Sequence, residues 1–119
     1  MSSDSDIRTD RAGEHVWVVS APGERDLADV DQLEAAFDAV VEHVSTLVVD
    51  LSETTFIDSA VIGLLVSTQR RVEGNAVHRL AVVAPRGSRP RRLLDMTARN
   101  VFPVVDDLPS ALADGRGPA

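Results

Sequence analysis

Asp58 and Ser59 stand together where a short loop runs into an apolar segment, Phe56-Ile57-Asp58-Ser59-Ala60-Val61-Ile62-Gly63-Leu64. The first N–H groups of a helix have no intrahelical partner, and a carboxylate or hydroxyl at the N-cap accepts from them. Either Asp58 or Ser59 can fill that role, which explains both residues without any reaction. The same place also suits recognition. A helix N-terminus favours negative charge through its dipole, and a phosphate on a hydroxyl there would add about two negative charges where a partner docks. Ser59 is the hydroxyl at hand, although as the cap its oxygen would already be engaged. Ala60, the next residue, has no hydroxyl.

Other candidates are less pointed. Gly23, Glu24 and Asp26 follow Pro22 in a turn. Loops at the strand ends of α/β sheets converge, so they can share a surface with Asp58, or they can form an ordinary turn with solvated charges. Ser52, Thr54 and Thr55 read as turn formers. Arg86, Arg89, Arg91 and Arg92 cluster around a helix start, against the dipole. Such a cluster can pair with an acidic partner or a phosphate, or form a solvated face. His15, His43 and His78 show no ligand spacing, so no metal site is expected. There is no Gly-x-Ser-x-Gly elbow, P-loop or dinucleotide fingerprint. No histidine is placed as a base for Ser59. The chain therefore reads as a non-enzyme with no catalytic residue and no cofactor.

Composition sets the outer bounds. At 119 residues and 44% hydrophobic content, one domain with one packed core is expected, ordered over about residues 7–113. With 3% aromatic residues the core must be aliphatic. Cysteine is absent, which removes disulfides and thiolate chemistry and fits a cytoplasmic protein. The polar, acidic start Met1–Asp6 does not read as a signal peptide. No apolar run approaches the ~18–20 residues that cross a bilayer, so membrane insertion is not expected. The net charge of −7 is unevenly placed: residues 1–58 carry 14 acids and 3 arginines, residues 59–119 carry 5 acids and 9 arginines. An acidic first half argues against direct nucleic-acid binding. It suits a partner with a basic face, or simply keeps a small domain in solution.

These residues need elements to position them. Ile7–Arg11 reads as an edge strand, Ala12-Gly13-Glu14 as a turn, and His15–Ser20 as a second strand pairing back as a hairpin. Val30, Leu33, Phe37, Val40, Val41 and Val44 form one apolar stripe, predicting a helix over Asp31–Val44 with Asp29 or Asp31 as its cap. Thr46–Leu51 is almost continuously apolar, as a central strand buried on both faces would be. A helix follows over Ala60–Glu73, stopped by Gly74-Asn75. Arg79–Ala84 is a strand ended by Pro85. Ser88 or Arg89 caps a third helix with Pro90 in its first turn, and Asn100 supplies a left-handed residue at its end. Phe102–Val105 is a short strand, and Asp107 caps a last helix ending near Ala113. The order predicts an α/β fold: a small, mixed, mostly parallel sheet of about four or five strands with an N-terminal antiparallel hairpin, and four helices.

Several landmarks then fall in one order: Gly23-Glu24-Arg25-Asp26, Val48-Val49-Asp50-Leu51-Ser52, Phe56-Ile57-Asp58-Ser59, Arg91-Arg92-Leu93-Leu94 and Phe102-Pro103-Val104-Val105. Together they resemble the STAS domain family, of the anti-sigma factor antagonist type, over roughly His15–Ala113. In that family the loop commonly reads Asp-Ser-Ser/Thr-Gly-Leu and the second hydroxyl is phosphorylated; here Ala60-Val61 replaces Ser/Thr-Gly. Arg25 stands where the family has an apolar residue, and Met96-Thr97-Ala98 where Thr-Gly usually ends the third helix. The resemblance implies a protein-binding regulator. Its partner would be an anti-sigma factor with a serine-kinase, histidine-kinase-like ATPase fold, held through Glu24, Asp26, Asp58, Ser59, Ala60 and Val61, and binding would release a sigma factor. It equally admits a STAS accessory subunit of a transporter ATPase complex or signalling scaffold.

Overall fold

The computed structural model describes residues 7–41, 45–74 and 79–115. The hairpin comes first. Strand β1 (Arg8–Gly13) runs antiparallel to β2 (Val16–Ser20), with a register shift between Arg11 and Gly13. The turn therefore sits at Glu14-His15, one or two residues later than the pattern predicts. Arg11 explains the extension: its guanidinium donates to the carbonyls of Gly13 (3.2 Å) and Glu14 (3.3 Å), so its side chain spans the turn.

Parallel pairing takes over from β2. Strand β4 (Thr46–Asp50) lies between β2 and β6 (Arg79–Val83), and β7 (Val104–Val105) closes the far edge. The main sheet has the order β1-β2-β4-β6-β7. Thr46, Leu47, Val48 and Val49 are all buried, as the continuous apolar run requires of a central strand. Strand alternation sorts the core into two layers. Val19, Leu47, Val49, Leu80 and Val82 face the helices α1 (Val30–Val41), α2 (Ser59–Glu73) and α3 (Arg89–Thr97). Val18, Val48, Ala81 and Val83 face the opposite way and meet Ala111 of α4 (Leu108–Gly115). The small side chains of that second layer let a single short helix cover the face.

Helix caps settle three open choices. Asp58 caps α2 and Ser88 caps α3, each accepting from helix N–H groups. Asp26, and neither Asp29 nor Asp31, opens the turn into α1: a single 3-10 turn, Leu27–Asp29, precedes the helix. Asp29 is the reciprocal half of that capping box, its carboxylate accepting from the Asp26 N–H at 2.9 Å. The α1 stripe buries Leu33, Phe37, Val40 and Val41, while Val44 lies outside the described residues. The end of α3 differs from expectation. Among the described residues no non-glycine has positive φ, so Asn100 is not left-handed. The helix stops at Ala98 (φ −139°), whose N–H donates to Leu94 and whose buried methyl, with Phe102, anchors the exit in the core. Asp107 caps α4 as its position predicts, accepting from the Ser110 N–H at 2.9 Å.

A second sheet was not expected. After Ala21-Pro22, β2 continues into a short strand, β3 (Gly23–Arg25); after Leu51-Ser52-Glu53, β4 continues into β5 (Thr54–Ile57). The two pair in parallel, with Glu24 opposite Phe56 and Arg25 opposite Ile57. Thr54 and Thr55 are thus strand residues, and Thr54 is buried with its hydroxyl donating to the Ala21 carbonyl at 2.5 Å. Gly23 makes the change of direction possible through a positive φ of 84°.

Candidate functional site

Because β2 and β4 are neighbours, their extensions β3 and β5 leave the main sheet side by side. Each delivers an acidic residue to the same end of the molecule: Asp26 after β3 and Asp58 after β5. The ends are joined by the Asp58 carboxylate. Its Oδ1 accepts from the N–H groups of Ala60 (3.0 Å) and Val61 (3.2 Å) at the start of α2. Its Oδ2 accepts from the Leu27 N–H (3.1 Å) in the 3-10 turn. One side chain therefore satisfies free N–H groups on two elements and fixes the turn at residues 26–29 against the helix.

Of the six residues expected to form the surface, five cluster around this join. Glu24 and Ser59 are exposed, Asp58 and Ala60 half-buried. Asp26 is exposed, but its Oδ1 accepts from Ala28 at 3.0 Å, so its carboxylate shapes the turn. Val61 is separate: it is 2% exposed and packs into the core, so it anchors the helix from inside. Ser59 is the first residue of α2, and with Asp58 as the cap its hydroxyl has no hydrogen bond among the described residues.

Leu27 was not singled out from the sequence, yet it is 71% exposed beside Asp58. A lone leucine in a turn gives no periodic signal. Arg25 is the other surprise. It is 6% exposed, donating from Nε to the Pro22 carbonyl (2.9 Å) and from Nη1 to Asp29 (3.2 Å), while its Nη2 finds no partner among the described residues. It holds the 3-10 turn from beneath, where the resembled family has an apolar residue.

The arginine cluster divides. Arg91 pairs with Asp106 (2.8 Å) and Asp95 (3.3 Å) and donates to the Ala84 carbonyl; Arg86 pairs with Asp106 (3.4 Å). Arg91 ties α3, and Arg86 the loop before it, to the segment after β7. Arg89 and Arg92 are exposed and have no ion pair among the described residues. No helix among the described residues is long and apolar enough to cross a membrane.

The comparisons with known proteins agree with this architecture. The sequence profile of a family described as "Mlab, STAS domain" matches residues 7–100. No curated protein matches the chain. Among solved structures, an anti-sigma factor antagonist from Mycobacterium paratuberculosis is 32% identical, with a TM-score of 0.81 and coverage of 98% of this chain and 99% of that one. The anti-sigma factor antagonist SpoIIAA in its unphosphorylated form is 22% identical, with a TM-score of 0.76 and coverage of 95% and 100%. A sulfate transporter family protein from Wolinella succinogenes shares the fold at 16% identity, with a TM-score of 0.68 and coverage of 90% and 89%. The mixed sheet, the joined loops at 26–29 and 58–60, and the family match over most of the chain lead to one conclusion: the chain belongs to the STAS domain family, of the anti-sigma factor antagonist type.

Proposed function

We propose that the chain is a non-catalytic regulator that binds an anti-sigma factor with the serine-kinase, histidine-kinase-like ATPase fold and so releases a sigma factor. The observation that carries this reading is the Asp58 bridge. It fixes the 26–29 turn, with exposed Asp26 and Leu27, against Ser59 and Ala60 at the start of α2, and Glu24 lies two residues upstream on β3. An acidic rim around an apolar residue suits a partner face with basic residues around an apolar contact. The likeness to the Mycobacterium paratuberculosis antagonist, at 32% identity over nearly the whole chain, supports the same partner class.

The phosphorylation switch expected of this family is altered. Ala60 offers no hydroxyl. The chain therefore binds its partner without being released by phosphorylation at that position. The test is calorimetric titration of the host's anti-sigma factor kinases with the chain and with Glu24→Gln. Saturable binding by one kinase, weakened by Glu24→Gln, supports the proposal; no binding to any of them by the folded chain overturns it. The fold shared with a sulfate transporter family protein keeps a second reading in play, an accessory subunit of a transporter ATPase complex. Co-purification with a transporter ATPase in place of a kinase would favour it.

A further inference from the structure

Helix α3 has three faces. Pro90, Leu94 and, at the C-cap, Ala98 are buried. Arg91 and Asp95 pair with each other on a second face. The third carries Arg89, Arg92, Leu93 and Met96, at helical steps of three and four, and it turns toward β5. Between this face and Phe56 and Ile57 lies an open groove of about 290 Å³. Met96 is 76% exposed and Phe56 39%, so a flexible thioether and an aromatic ring stand next to water with nothing over them among the described residues. Arg89 and Arg92 flank the same groove without an ion pair among the described residues, and both lie in the first half of α3, where the dipole disfavours cations. The acid on the helix, Asp95, is taken by Arg91, and Glu24 sits across on β3, paired with neither.

We propose that this groove binds a small amphiphilic anion: a single short apolar chain or ring carrying one carboxylate. Its apolar body would cover Phe56, Leu93 and Met96, gaining from apolar surface removed from water. Its carboxylate would accept charge-assisted hydrogen bonds from Arg89 and Arg92. The groove lies at the small end of the range for ligand pockets, roughly 300–1,000 Å³, so one short chain fills it. The occupant is the free monomeric anion, because the groove is too shallow to hold a bilayer's worth of chains and two arginines are a weak membrane anchor. This groove adjoins the partner surface along β5, where Glu24 pairs with Phe56, and it is tested without any partner.

The experiment is an NMR titration of the ¹⁵N-labelled full chain with octanoate, 1-octanol and butyrate in the low-millimolar range. Octanoate should shift the amide signals of Phe56, Leu93 and Met96 saturably. Octanol, lacking the charge, should bind about tenfold more weakly, equivalent to ~1.4 kcal/mol, and butyrate, lacking the chain, should not saturate. The double variant Arg89→Gln/Arg92→Gln should bind octanoate no better than octanol. Met96→Glu should lose octanoate by setting a like charge in the groove. All three positions are exposed, so the variants should stay folded, which their spectra will show. Equal binding of octanoate and octanol, shifts scattered over other surfaces, or an unchanged double variant would overturn the proposal. So would the absence of octanoate binding, including a case where the chain instead sediments with phosphatidylglycerol vesicles.

Discussion

Asp58 has more riding on it than an ordinary cap. Replacing a capping carboxylate by alanine costs about 0.5–2 kcal/mol, and Asp58 also holds the Leu27 N–H. Asp58→Ala should therefore lose stability at the upper end, ~2 kcal/mol, by urea unfolding. Asp58→Asn keeps one oxygen to accept from Ala60 and Val61 but sets its amide NH2 against the Leu27 N–H, so it should recover the cap, lose the Leu27 bond and cost about half as much. A second prediction concerns the residue two places on. Ala60→Ser introduces an acceptor at the exposed start of α2, so incubation with a cognate kinase and ATP should put phosphate on the variant at residue 60 and none there on the natural chain, by peptide mapping. Stoichiometric phosphate on Ser59 of the natural chain would show instead that the acceptor has moved by one residue. Arg25 gives a third. Removing one partner of a buried pair costs ~3–5 kcal/mol when the other charge is stranded, but Asp29 keeps the Asp26 N–H. Arg25→Leu removes the unpartnered Nη2 but leaves the buried Pro22 carbonyl without its donor, so it should cost ~1–3 kcal/mol, short of the full stranded-charge penalty. The sequence narrowed the α2 cap to Asp58 or Ser59; it could not show the Leu27 contact, because a hydrogen bond across 31 positions leaves no local pattern. Arg25 was missed for the opposite reason: a lone charged residue reads as exposed, and burial depends on the Pro22 carbonyl and Asp29 meeting it in space.

At the scale of elements, legibility tracked length and periodicity. The α1 and α2 stripes and the apolar run of β4 each carry enough repeats to be recognised, and each lies where expected to within a few residues. Strands β3 and β5 were invisible. Gly23–Arg25 and Thr54–Ile57 are three and four residues long, begin beside turn-forming residues, and are strands because they pair with each other. The caps show the same limit: Asp26 competes with Asp29 and Asp31, and the winner is decided by a 3-10 turn that periodicity cannot resolve. Helix α4 yields a pH prediction. The Ser110 hydroxyl and N–H hold the Asp107 carboxyl below the ordinary carboxylate range. A carboxyl with a depressed folded pKa contributes stability above its unfolded pKa, about 3.9 for aspartate, and that contribution is lost as pH falls through the folded value. Ser110→Ala should bring the Asp107 titration, followed by its carboxyl ¹³C signal, upward toward the ordinary range. The start of α4 should then lose its cap at a higher pH on acidification.

Across the whole molecule the charge is divided as it is along the chain. The acidic first half supplies the strands up to Asp58, and the arginine-richer second half supplies α2 onward. The sign changes across β5, with Glu24 on its β3 side and Arg89 and Arg92 on its α3 side. If the acidic side meets a basic partner, part of the association rate is electrostatic and falls with salt. Net charge and local charge can be separated on this chain. Glu24 and Glu14 are both exposed glutamates, but Glu14 lies in the turn before β2 and Glu24 in the strand after it. They lie beyond opposite ends of β2, whose five residues alone span ~13 Å, more than the Debye length of ~10 Å at 0.1 M salt. Glu24→Gln and Glu14→Gln change the net charge equally. With the anti-sigma factor as partner, stopped-flow association at about 0.1 M salt should slow several-fold for Glu24→Gln, with a flatter salt dependence. The Glu14→Gln rate should match the natural chain, and dissociation should change little in either. Equal slowing by both would make net charge the cause. No slowing by Glu24→Gln would place the docking surface away from the end where Asp58 joins the two loops.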